Sequence, residues 1–140
     1  MATPPLQVTA LDHVVLRVRD LDRALGFYGG VLGLSIESLE AYRAGTRPFV
    51  SARVGPPLID LVPDATYEPQ AAPHAHGLLH VCVRVAGSLE RDVLPQVRAR
   101  GVTVIEDTPA NRLGATGYGL SIYIRDPDGY VVELKEDSAA

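Results

Sequence analysis

Tryptophan is absent from this 140-residue chain, and cysteine occurs once, at Cys82. One thiol excludes an intrachain disulfide and fits a reducing cytoplasm, the expected location. Positive charge is short: 13 basic residues face 17 acidic ones, so the chain carries −4 and lacks the electrostatic footprint of a nucleic-acid binder. Twelve of the 13 basic residues are arginine. No run approaches 18 consecutive apolar residues, so no membrane span is expected. The opening "MATPPLQVTA" has no basic stretch followed by an apolar run, so no signal peptide is expected either. What is present is globular: 46% hydrophobic and 21% charged residues, enough for one domain over 1–140.

The chain reads as two copies of one unit. "LDHVVLRV" at 11–18 returns as "LLHVCVRV" at 78–85, so His80 stands where His13 stood and Arg84 where Arg17 stood. Alternation puts His13, Val15 and Arg17 on one face of a strand and Val14, Leu16 and Val18 on the other. Asp20 is placed to cap a helix that Gly33 ends, with Gly29 and Gly30 weakening it by roughly 1 kcal/mol each. Strands are expected near 34–39, 47–54 and 57–62. A proline-rich connector, 63–77, carries His74 and His76, read as solvated loop residues. The order then begins again: a strand at 78–85, a helix capped by Ser88 and kinked or delayed by Pro95, and a strand at 102–106. "RLGATGYG" reads as a flexible rim, followed by strands at 119–125 and 130–135 around the turn "DPDG". "IDL" at 59–61 matches "VEL" at 132–134, which makes Asp60 and Glu133 equivalent. The expected fold is α+β: two βαβββ modules, 10–62 and 78–136, forming one eight-stranded cupped mixed sheet with helices outside. Either half alone is too small for a satisfactory core.

Repeats related by a pseudo-two-fold bring equivalent inner positions together. His13 and His80, with Asp60 and Glu133, then supply two imidazoles and two carboxylates, a donor set for Fe(II), Mn(II), Ni(II) or Zn(II) with coordination positions left open for water or substrate. Asp60 is one methylene shorter than Glu133 and is the weaker candidate for direct ligation. Arg17 and Arg84 share the face of the histidines, either to pair with the carboxylates or to anchor an anionic substrate. Tyr118 and Tyr123 are candidate pocket residues. Cys82 is expected to be a small core hydrophobe.

"LDHVVLRVRDLDRALGFYGGVLGL", "LLHVCVRV" and "YIRDPDGYVVEL", in this order, resemble the vicinal oxygen chelate superfamily, which includes glyoxalase I, extradiol dioxygenases, fosfomycin-resistance transferases and bleomycin-resistance proteins. "RLGATGYGLSIYIRDPDG" and "IDLVPDATYEPQA" look closest to its small glyoxalase-domain, virulence-associated members. The resemblance implies a divalent metal held by His13, Asp60, His80 and Glu133, with Glu133 and Asp60 as catalytic carboxylates. It implies a small-molecule substrate that chelates through adjacent oxygens, in lyase, isomerase or dioxygenase chemistry. Arg17 matches a position that contacts glutathione in glyoxalase I, so glutathione or another thiol is the implied co-substrate. Glyoxalase I typically has glutamate where this chain has Asp60. A homodimer is implied as well. The alternative is a binding protein that sequesters an antibiotic without turnover, which the low aromatic content, 6%, disfavours.

Overall fold

The computed structural model describes residues 7, 9–69, 78–106 and 108–137. The first module runs β1 (His13–Val18), α1 (Leu21–Leu25) with a π-helical extension (Gly26–Val31), β2 (Ser35–Glu37), α2 (Leu39–Arg43), β3 (Val50–Arg53) and β4 (Leu58–Pro63). The second runs β5 (Val81–Val85), α3 (Leu94–Ala99) preceded by a π-helical turn (Leu89–Val93), β6 (Ala110–Gly114), β7 (Gly117–Arg125) and β8 (Val131–Glu136). The strands form two four-stranded mixed sheets, ordered β1-β4-β3-β2 and β5-β8-β7-β6. In each, the first strand is parallel to the last and the other pairs are antiparallel. The repeat extends to register: Val15 pairs with Asp60 as Cys82 pairs with Glu133.

Local chemistry explains the helix ends. The Asp20 carboxylate accepts the Arg23 backbone N–H, and the Ser88 hydroxyl accepts that of Arg91. Gly33 and Gly101 follow the helices at φ +71° and +72°, where a side chain is strained. Gly29 and Gly30 fall in the π-helical stretch, where Leu32 N–H bonds to Phe27 carbonyl. Pro95 sits in the first turn of α3, after the π-helical turn, which is the delayed start expected of it.

Two expectations are corrected and one element is new. The expected strand at 102–106 is reduced to one bridge, Val104 to Ile124. The supposed flexible rim is β6 and the start of β7, a hairpin with Gly117 at φ +112° in its turn. The short helix α2 was not expected. His74 and His76 lie outside the described residues.

One face of each sheet packs into a common core that mixes Leu16, Phe27 and Leu61 of the first module with Leu89, Ile122 and Leu134 of the second. Polar ties cross the same boundary. Tyr28 Oη donates to Asp126 Oδ2 at 2.8 Å, Arg19 N–H to Asp128 Oδ1 at 2.8 Å, and Tyr130 Oη to the Arg17 carbonyl at 3.1 Å. The "DPDG" turn is therefore a latch between modules as well as a reversal.

Candidate functional site

Strand alternation sorts the opposite faces of the two sheets. In the first module that face carries His13, Val15, Arg17, Asp60 and, across from Asp60, Ser51. In the second it carries His80, Cys82, Arg84, Glu133 and, across from Glu133, Tyr123. β1 and β5 are edge strands of their sheets. An edge strand offers unpaired backbone groups to a further chain.

Each histidine meets the carboxylate of its own module. His80 Nε2 lies 3.1 Å from Glu133 Oε1, and His13 Nε2 lies 3.9 Å from Asp60 Oδ2. Both carboxylates are buried and both histidines are partly open. The structure thus builds two His–carboxylate pairs. Among the described residues, no group of three or more His, Cys, Asp or Glu side chains could hold a metal. In kind, the donors suit a divalent cation. In number, the described residues of one chain supply two donors at each place.

The supports of the two pairs differ. His13 Nδ1 is 2.6 Å from Asp12 Oδ1, a contact that raises the His13 pKa and, when Nδ1 carries the proton, leaves Nε2 free as a ligand. Ser51 Oγ donates to Asp60 Oδ1 at 2.5 Å and accepts from Arg47 at 3.0 Å, so Asp60 is held back from His13. In the second module the Tyr123 ring packs edge-on against His80, centroids 5.4 Å apart, and the Arg112 guanidinium lies 4.6 Å from the Tyr123 centroid. Glu106 pairs with Arg112 at 2.7 Å. Burial and the nearby Glu133 push the Tyr123 hydroxyl above its ordinary pKa.

The other expected residues divide. Arg17 shares the His13 face and lies 3.6 Å from Asp64. Arg84 reaches the Thr116 hydroxyl at 3.3 Å. Tyr118 pairs with Leu113 on the opposite face and is 68% exposed, so it does not meet the histidines. Cys82 is exposed on an edge strand beside Glu133, not buried in the core. Desolvation of its sulfur, and then the Glu133 charge, push its thiol up, which keeps it protonated and a poor nucleophile. Sequence reasoning missed Asp12, Ser51, Arg47 and Arg112. Of these, Ser51 was accessible in principle, as an inward residue on the strand beside Asp60.

Residues 10–134 match the Glyoxalase/Bleomycin resistance protein/Dioxygenase superfamily. The chain belongs to this superfamily. It is 32% identical over 130 residues to Virulence protein STM3117 of Salmonella typhimurium, covering 92% of this chain and 85% of that one. The crystal structure of that protein aligns with a TM-score of 0.67 at 29% identity, over 94% of this chain and 98% of the other. Lactoylglutathione lyase of Salmonella typhimurium is 28% identical over 130 residues, 90% of this chain and 91% of the lyase. Superfamily membership agrees with the two four-stranded mixed sheets.

Proposed function

We propose that this superfamily member is a divalent-metal-dependent enzyme acting on a small molecule that chelates through adjacent oxygens, in a glyoxalase-like reaction, and that it works as a homodimer. The observation that carries this reading is the symmetric pair of half-sites, each a partly open histidine over a buried carboxylate on an edge strand. His13 and Asp60 of one copy would join His80 and Glu133 of another around one cation, an arrangement supported by the two donors that the described residues of one chain supply at each place.

A bound cation would act as a Lewis acid on the chelating oxygens. The rest falls to the chain. Glu133, buried and close to His80, is the better placed carboxylate to take a proton from substrate carbon and return it. Asp60 already accepts the Ser51 hydroxyl, so its role is to orient rather than to exchange protons. Tyr123 fixes the His80 ring from the side.

Elemental analysis of untagged protein tests the reading. About one divalent metal per chain is expected, with turnover of the methylglyoxal–glutathione hemithioacetal lost in chelator and restored by Ni or Zn. Turnover of a catechol restored only by Fe(II) would move the chemistry to oxygenation. Tight ligand binding with no metal, no turnover and no response to chelator would replace the enzyme by a sequestering protein.

A further inference from the structure

The chain has one lysine, Lys135, and it is buried, at 5% exposure. It lies two residues beyond Glu133 in β8, so it shares the face of the candidate site. Its ammonium crosses to the β6–β7 hairpin, where it donates to the Arg112 carbonyl and, at 3.0 Å, to the Gly119 carbonyl. Glycine makes the slot. A Cβ on Gly114 would stand 2.7 Å from Lys135 Cε, and one on Gly119 would stand 3.5 Å from Nζ.

A buried lysine is normally paired with a carboxylate. Among the described residues Lys135 has none within 4.0 Å. Its register neighbour on β5 is a second cation, Arg84, which donates to the Thr116 hydroxyl and, among the described residues, also has no carboxylate at that range. Ser121 flanks Lys135 on the other side, from β7. The two cations are therefore register neighbours on one face, with no carboxylate within 4.0 Å of either among the described residues. Their row is one step along the strands, roughly 7 Å, from the row of Cys82, Glu133 and Tyr123. The two backbone carbonyls leave one of the three ammonium hydrogens for a ligand.

We propose that Lys135 and Arg84 form an oxyanion subsite, so that the substrate carries a carboxylate or phosphate group a few bonds from the oxygens that chelate the metal. This rests on the metal reading for its second half and, for its first, only on two neighbouring cations with no carboxylate within 4.0 Å among the described residues. The competing role for Lys135 is a clamp between β8 and the hairpin, which would give it no effect on ligand selection.

Three probes separate these roles in metal-loaded, full-length protein: glycerate, malate and 3-phosphoglycerate, which share a carboxylate and adjacent hydroxyl and differ in the distal group. The wild type is expected to bind malate or 3-phosphoglycerate roughly 10- to 100-fold more tightly than glycerate, the range of a charge-assisted contact. The preferred one identifies carboxylate or phosphate. Lys135→Met and Arg84→Met should each abolish the preference. Gly114→Ala keeps both charges but displaces the lysine, and should reduce it. No preference in the wild type, or one that survives in Arg84→Met and Gly114→Ala, overturns the proposal even if Lys135→Met does not fold. Calorimetric titration of chelator-treated protein with inorganic phosphate and with acetate isolates the anion site. Binding there that requires Arg84, in a protein that takes up no metal, would sink the metal reading and leave the subsite standing. Absence of binding there, in a protein that does load metal, would count against the subsite alone.

Discussion

Glu133→Gln is expected to weaken divalent-metal binding by more than about 100-fold, beyond the loss usual when only a supporting residue is removed. The substitution keeps the volume of a buried side chain and removes its charge, so the change falls on the cation rather than on packing. Asp60→Asn should do less, roughly 10-fold, because Asp60 is engaged by Ser51 and sits farther from its histidine, 3.9 Å against 3.1 Å. Competition with a fluorescent chelator, on variants shown to be folded, measures both. Equal losses would mean that the two carboxylates play the same part and that the Ser51 contact is incidental.

Folding stability is expected to fall by about 3 kcal/mol as pH rises from roughly 4 to 7, through one group, Asp126. Burial pushes its carboxyl up to about 6 from an ordinary 3.8, against the hydrogen bonds from Tyr28 and from the backbone of Asp128 and Tyr130. The neighbouring Asp128 adds to the rise. A folded pKa above the unfolded one means that the native state binds the proton more tightly. The contribution is full below the unfolded value and is lost as pH climbs through the folded one. Asp126→Asn stays neutral and can still accept the two backbone N–H groups. Urea melts of both proteins across this range isolate the effect, since other carboxylates titrate alike in each. The variant should gain on the wild type steadily toward neutral pH, and a constant difference would refute the assignment.

The latch containing Asp126 shows how far sequence carried. "DPDG" announced a turn, but nothing local says that Tyr28, far away in the chain, would reach its carboxylate. The duplicated strands were legible because burial repeats with the same alternation in both halves, and that equivalence made His80 the counterpart of His13 and Glu133 that of Asp60, whereas the structure pairs each histidine with the carboxylate of its own module. Tertiary demands hid the rest. Gly114, Gly117 and Gly119 resembled a loop, yet Gly117 supplies the turn and Gly114 clears the path of Lys135, so the segment is a hairpin. Cys82 reads as core by composition and is exposed because β5 is an edge. Tyr118 follows the parity of Ile122, not of Tyr123, and so leaves the site. Whether equivalent positions meet within one chain is a matter of module packing, which strand patterns do not encode.

Mixing two disabled chains addresses that last point. One carries His13→Ala with Asp60→Asn, the other His80→Ala with Glu133→Gln, and neither should retain metal alone. If each site takes one half from each of two copies, refolding them together restores one intact site in every mixed dimer, roughly a quarter of the wild-type metal content. A mixture that binds no more metal than its separate components would contradict a cation shared between copies.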